Sequence, residues 1–272
     1  MTGIADLFQA LTPRLGVLVL VMARVGGLMI TAPLLGAQVV PVRVRAMLVL
    51  FIALAIHHSV AVDEANAALR SLGTPEGSSG VALLLSLLGE VAIGAILGLC
   101  AQFIFAGVQL AGQLIGIQMG MGLSNLIDPQ FQAQVTTMAL WQNLLALLLF
   151  LSIDGHHLLI RAVAESFRVL PAGADLIGRT GLHYVATVAG GMFVIAMKLA
   201  APVLIVILMI NGAMGALTKL IPQLNVMVVG FGLNVAAGFF VLAAAQPFTL
   251  RFLEQSFGRL EGTLARAMEL LS

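Results

Sequence analysis

The sequence predicts an all-α membrane protein, and both its composition and its hydropathy pattern indicate this class. Of the 272 residues, 60% are apolar and 9% are charged, and the mean hydropathy is +1.09, whereas soluble domains carry about 25% charged residues. The apolar residues form runs of about 20 or more, the length that a helix needs to cross a bilayer core. We therefore expect residues 1–272 to form a single all-helical domain. The net charge of +1 gives no indication of a nucleic-acid surface.

Polar and helix-breaking residues divide the first part of the chain into apolar segments. A short amphipathic entry, Ile4–Leu11, precedes Pro13, which suits the first turn of a following helix. Apolar helices are then expected at Leu15–Leu35, Ala46–Val62 and Val81–Ala111. A charge inside such a segment normally faces protein or water rather than lipid. We therefore predict inter-helix or inter-subunit contacts for Arg24 and Glu90.

The stretch from Glu90 to Asp128 is the most informative part of the chain, because no charged side chain lies between these two residues. Glycine recurs at every fourth position in its second half, and each interior glycine weakens a helix by roughly 1 kcal/mol relative to alanine. Methionines and polar side chains accompany the glycines, and hydrocarbon does not satisfy the polar groups. The residues of interest are Gly112, Gly116, Gln118, Met119, Gly120, Met121, Gly122 and Asn125.

Two interpretations of this glycine-rich segment, residues 112–126, follow from general physics. Glycine stripes let helices approach one another closely, and composition alone favours this interpretation. Alternatively, non-helical backbone is tolerated at membrane depth where it lines a cavity, and the segment is then a flexible constriction in a pore. Methionine suits a constriction, because its unbranched, polarizable side chain fills irregular gaps. The residues by themselves leave both interpretations open.

The second half of the chain alternates apolar and amphipathic segments. Apolar helices are expected at Val135–Ile153, Gly181–Leu217 and Val226–Leu250, and amphipathic helices at residues 156–170 and 251–272. Asp154 and the glycine after it are a turn signal, and Pro202 removes one helical hydrogen bond and predicts a kink. We predict inter-helix or inter-subunit contacts, rather than ion conduction, for Asp128, Asp154 and Lys198.

No catalytic constellation is recognisable in the sequence, and we predict neither an enzyme nor a metal or cofactor site. The histidines occur as two adjacent pairs, at positions 57–58 and 156–157, and as His183. Two helical residues four positions apart lie on the same face and can bind one metal ion, whereas adjacent residues point in different directions. We interpret the histidines as polar residues at helix ends. The single cysteine, Cys100, has no partner for an intrachain disulfide.

Four segments together resemble one known family, the flagellar biosynthesis protein FliR family of type III secretion export gates. They are ARVGGLMITAPLLGAQVVPVRVR (Ala23–Arg45), FAGVQLAGQLIGIQMGMGLSNLIDPQ (Phe105–Gln130), LLALLLFLSIDGHHLLIRAVAESFRVLP (Leu144–Pro171) and IPQLNVMVVGFGLN (Ile221–Asn234). The resemblance covers nearly the whole chain in the same order, and its blocks are specific in combination.

This resemblance implies a structural and gating role in the bacterial inner membrane, at the flagellar basal body. Long, kinked, tilted helices would stack in a right-handed helical assembly with FliP and FliQ, with one copy of this chain per complex, and would contact FlhB. The assembly would enclose the channel through which unfolded flagellar subunits pass. The resemblance assigns the glycine-rich segment to a plug in that channel, formed by Gly112, Gly116, Gln118, Met119, Gly120, Met121, Gly122 and Asn125.

Two other functions remain as alternatives. A small-solute secondary transporter with interrupted helices would place polar ligands near the midplane and often shows internal repeats, and the sequence offers few midplane charges and no convincing repeat. A membrane-embedded enzyme requires a nucleophile with its base, or a metal set, and neither is visible.

Overall fold

The computed structural model describes residues 2–33, 40–57, 79–121, 136–173, 179–220 and 226–271. Within these ranges all regular secondary structure is helical, which confirms the predicted fold class. The helices are α1 (Thr2–Thr31), α2 (Val42–His57), α3 (Ser79–Gln118), α4 (Thr137–Ser152), α5 (Gly155–Val169), α6 (Arg179–Leu220), α7 (Val226–Gly258) and α8 (Leu260–Leu271).

Three of the helices show the clearest differences from their predicted bounds. Helix α1 is continuous from Thr2 and includes Pro13, so no separate entry helix precedes it. Helix α3 extends through Gly112 and Gly116 to Gln118, because packing against other helices compensates for the weak helix propensity of glycine. The predicted C-terminal helix of residues 251–272 is divided, since residues 251–258 continue α7 and α8 begins at Leu260. The division follows Gly258, a residue type that commonly ends helices.

The chain forms two compact units, and the first consists of Met1–Gln102, Asp154–Val188 and Arg259–Ser272. In this unit α1 contacts α2 and α5, and α5 contacts α8. Helices α5 and α8 are amphipathic and bury their apolar faces. A small core cluster joins Ile93 and Ile96 of α3 to Leu170 and Leu271, with Val185 packed against it.

The second unit consists of Phe103–Ile153 and Ala189–Gly258. Its core includes three buried phenylalanines from α3, α4 and α7, which are Phe105, Phe150 and Phe257. Their ring centroids lie 5.2–5.5 Å apart, within the range in which aromatic pairs attract one another. Helix α4 contacts α7 in this unit. The single all-helical domain expected over residues 1–272 stays a prediction.

Three helical stretches in the described part of the chain are long and apolar enough to cross a membrane. They are Leu84–Gln118, Thr180–Leu220 and Val228–Leu271. A fourth crossing results if α4 and α5, which a sharp turn separates, together form one broken span. Pro202 and Pro247 lie inside α6 and α7, and both helices continue through them.

Candidate functional site

Arg24 lies in the last third of α1, is fully buried and donates a complete set of hydrogen bonds. Its Nε donates to Oε2 of Glu90 at 2.6 Å and its Nη2 to Oε1 at 3.2 Å. Its Nη1 donates to Oγ of Ser166 at 2.9 Å, and both terminal nitrogens donate to the carbonyl oxygen of Leu170 at 3.0 Å. A guanidinium group has five N–H donors, so none of them is left unsatisfied. The sequence prediction of an inter-helix contact for Arg24 therefore has a specific partner in Glu90.

Glu90 lies in α3 and its carboxylate is buried together with Arg24. Besides the two bonds from Arg24, its Oε1 accepts a hydrogen bond from the backbone N–H of Gly173 at 2.8 Å. The ring of Phe167 packs against the guanidinium group, with its centroid 3.9 Å from Cζ of Arg24. One ion pair thus ties α1 and α3 to the end of α5 and to the residues that follow it. We refer to Arg24, Glu90, Ser166 and Phe167 as the buried polar cluster.

Helices α1 and α3 touch at their backbones directly beside the buried polar cluster. A methyl group added at Gly27 of α1 would collide with the carbonyl of Val91, and one added at Gly94 would collide with the carbonyl of Arg24. Oγ1 of Thr31 donates to the carbonyl oxygen of Ala95 at 2.9 Å across the same contact. Small residues at this crossing allow the guanidinium and the carboxylate to meet.

In the second unit, the first two glycines of the glycine-rich segment are helix-packing positions. A methyl group added at Gly112 would collide with the backbone of Ala139, and one added at Gly116 would meet the side chain of Thr136 at 2.7 Å. Thr136 is the N-cap of α4, and its Oγ1 donates to the carbonyl oxygen of Gly112 at 3.1 Å. Close approach of helices is therefore what the structure shows at Gly112 and Gly116.

Helix α3 ends where the predicted plug residues begin. Gln118 is its last residue and is exposed, and Met119 follows in a turn. The Met119 side chain is fully buried and lies against Gly238 of α7, where an added methyl group would meet its Cγ at 2.7 Å. Gly120 has a φ of 82°, a left-handed conformation that glycine adopts without steric cost. Met121 is the last described residue of this segment and is half-buried.

The remaining predicted residues have different surroundings. Asp154 is exposed, and its Oδ1 lies 3.3 Å from Nδ1 of His157 on the first turn of α5, so this contact is local rather than between distant helices. Lys198 is exposed in α6, and its Nζ lies 5.5 Å from the ring centroid of Phe252 in α7. Gly122, Asn125 and Asp128 lie outside the described residues.

The sequence did not indicate several residues that contribute to the buried polar cluster or contact the glycine-rich segment. Ser166 and Phe167 belong to the buried polar cluster, and the backbone of Gly173 donates a hydrogen bond to it. Thr136 and Gly238 contact the glycine-rich segment. The amphipathic pattern of α5 indicated which of its faces is buried, but not that a serine on that face meets an arginine from a helix distant in sequence. For Gly238 and Thr136 no local signal distinguishes them from other small residues.

These observations define an integral membrane protein whose helices are joined by glycine contacts and a buried ion pair. Residues 15–260 match the family described as bacterial export proteins, family 1, and the chain belongs to that family. It is 33% identical over 242 residues to the flagellar biosynthetic protein FliR of Escherichia coli (strain K12), covering 89% of this chain and 88% of that protein.

Two further relatives carry the same name. The chain is 36% identical over 194 residues to FliR of Pectobacterium carotovorum subsp. carotovorum, covering 71% of this chain and 73% of that protein. It is 31% identical over 245 residues to FliR of Bacillus subtilis (strain 168), covering 89% and 88%. The resemblance predicted from sequence blocks is thereby confirmed, and the chain is a membrane component of flagellar protein export.

Proposed function

We propose that the chain is the structural and gating subunit of the flagellar type III export channel in the inner membrane. One copy assembles with FliP and FliQ, contacts an FlhB-like protein, and surrounds part of the channel that passes unfolded flagellar subunits. The part of the glycine-rich segment that follows Gln118 closes this channel at rest. Family membership supports the export role, and the surfaces of α6 and α7 support the assembly.

The observation that carries the proposal is the large exposed apolar surface of α6 and α7, which also bears polar groups. Leu208 and Phe240 are 68% and 77% exposed. On these helices Nδ2 of Asn234 donates to Oδ1 of Asn211 at 2.9 Å, and Lys198 is exposed. Polar and ionisable groups within membrane segments normally face protein or a water-filled cavity. Such surfaces therefore suit helices that other subunits cover, better than helices that lipid surrounds.

The end of α3 supports a plug in the region after Gln118. Between Glu90 and this point the helix carries no charge, and an apolar constriction can gate a pore by excluding water. Gly116 and the glycine before it hold the helix against α4, so the mobile part of a plug has to begin beyond them. Met119 and Gly120 directly follow the end of α3, and Gly120 has a left-handed backbone conformation.

Deletion of residues 119–122 tests the plug directly. We expect cells that produce the complex with this deletion to leak small ions, because the apolar closure is removed while the packing of α3 against α4 is kept. Whole-cell or planar-bilayer conductance is the measurement, and co-purification with FliP and FliQ verifies that the complex still forms.

Gly116→Ala is the matched control for this deletion, because it crowds Thr136 without removing the turn. The plug role predicts that this variant conducts no more than the wild type. Unchanged conductance of an assembled deletion complex would refute the plug role. Failure of the wild-type chain to co-purify with FliP and FliQ from native membranes would refute the assembly itself.

A further inference from the structure

The turn between α4 and α5 has an unusual backbone conformation at Asp154. Among the described residues, Asp154 is the one non-glycine residue with a positive φ, with φ 57° and ψ 29°. It occupies the N-cap position of α5, where an aspartate normally has an extended backbone and accepts a hydrogen bond from the first helical turn. Here its side chain makes no capping bond, so its carboxylate is available for another partner.

The carboxylate instead lies beside two histidines. Oδ1 of Asp154 is 3.3 Å from Nδ1 of His157, and the ring centroids of His156 and His157 are 4.1 Å apart. Nδ1 of His156 is shielded from solvent and has no hydrogen-bond partner among the described residues. Each of the three side chains offers a ligand atom, and these atoms lie within 4.8 Å of one another.

These distances suit a transition-metal ion. Zinc bonds of about 2.0–2.1 Å to nitrogen and oxygen place two ligands of a tetrahedral site roughly 3.3–3.4 Å apart, which matches the separation of Asp154 and His157. The third ligand atom is within 4.8 Å, so a small side-chain rotation brings it into the same coordination sphere. Two imidazoles and one carboxylate suit Zn²⁺ and its neighbours better than Mg²⁺ or Ca²⁺, which prefer oxygen ligands.

We propose that Asp154, His156 and His157 bind one divalent transition-metal ion of the Zn²⁺ class at the start of α5. The side chains of Asp154 and His157 are 75% and 60% exposed, so an ion reaches them from solvent and water occupies the remaining coordination position. The bound ion holds the left-handed turn at Asp154 against the first turn of α5. This site is independent of the channel role, since none of its residues belongs to the plug or the buried polar cluster.

The test uses the chain purified with its partners in detergent through a tag that contains no histidine. We expect equilibrium dialysis with Zn²⁺ to give one more bound ion per chain in the wild type than in Asp154→Asn or His157→Gln. Loss of a ligand should weaken binding by more than the roughly 10- to 100-fold that loss of an outer-shell partner costs. Co²⁺ in the wild-type site should show the intense visible bands of a tetrahedral ion.

His183→Gln is the matched control, because it removes an exposed histidine of α6 that lies outside the cluster, and it should bind Zn²⁺ like the wild type. A second measurement needs no variant: Zn²⁺ should protect His156 and His157, but not His183, from modification by diethyl pyrocarbonate, read by mass spectrometry. Equal Zn²⁺ binding in all variants, or equal modification with and without Zn²⁺, would overturn the proposal and leave Asp154 and His157 as a surface contact without a metal ion.

Discussion

At the scale of single residues, Arg24 and Glu90 show how charged side chains are accommodated inside an apolar protein. Removing an arginine and a carboxylate from water is costly, and attraction between them compensates only when the remaining donors and acceptors are satisfied. Here the guanidinium makes five hydrogen bonds and faces the ring of Phe167. The pair therefore specifies how α1, α3 and α5 meet in the first unit.

Glu90→Gln leaves the buried guanidinium without a countercharge. We expect it to lower the free energy of unfolding by about 3–5 kcal/mol, the usual effect of breaking a buried ion pair by removing one partner. Titration of the purified protein with a denaturing detergent measures this loss.

The double variant Arg24→Met with Glu90→Leu replaces both charges by apolar groups and should recover much of that stability, because no uncompensated charge remains. Arg161→Gln on the exposed face of α5 is a surface control, for which a change within about 0.5 kcal/mol is expected. If Glu90→Gln proves as mild as this control, the ion pair does not hold the three helices together.

At the scale of helices, α1 and α3 are joined by direct backbone contact. Gly94 and Gly98 of α3 lie four residues apart, and both face α1. The structure places the backbone of Arg24 opposite Gly94, Thr31 opposite Gly98, and the backbone of Val91 opposite Gly27. Glycine is required at Gly27 because the neighbouring backbone leaves no space for a methyl group, whereas Gly26, one residue earlier, has no atom within 4 Å of an added methyl group.

Gly27→Ala and Gly26→Ala form a matched pair on the same helix. We expect Gly27→Ala to lower the free energy of unfolding by about 1–3 kcal/mol, because the added methyl group overpacks a contact between two backbones. Gly26→Ala should be neutral or stabilise by up to about 1 kcal/mol, since alanine is the better helix former. Detergent-titration curves of the two variants measure the difference, and equal stabilities would contradict the close contact of α1 and α3.

At the scale of the whole molecule, much of the apolar surface is still exposed in the isolated chain. Helices α6 and α7 carry large exposed side chains along most of their lengths. The proposed assembly with FliP and FliQ would cover these surfaces. Within α6 the exposed and buried positions alternate closely: Leu208 is 68% exposed, whereas the preceding Ile207 is fully buried.

A photo-crosslinking amino acid at Leu208 tests this arrangement in native membranes. We expect covalent adducts with FliP or FliQ at Leu208, because this side chain points away from the chain's own core. The same probe at Ile207 should give no adduct with another protein, since that position is enclosed by the chain itself. Electrophoresis and mass spectrometry identify the adducts. Adducts of Leu208 with lipid alone would argue against coverage by other subunits.

The sequence alone determined the helical membrane class and the family, because both depend on properties that are local along the chain. Low charge and long apolar runs predict spanning helices wherever they occur, and the ordered blocks from Ala23 to Asn234 resemble one family in combination. The need for partners at Arg24 and Glu90 was likewise visible, as it was at Asp128, Asp154 and Lys198, because a charge in an apolar run requires a partner.

Only the tertiary structure decided which residues those partners are. Arg24 meets Glu90 and Ser166 across separations of 66 and 142 residues, and no local pattern encodes such a pairing. It also decided that Gly112 and Gly116 remain helical, whereas Gly120 turns the chain. All three belong to the same sequence stripe, but packing against α4 stabilises the helix at the first two, and the third lies beyond the end of α3, where its φ is positive.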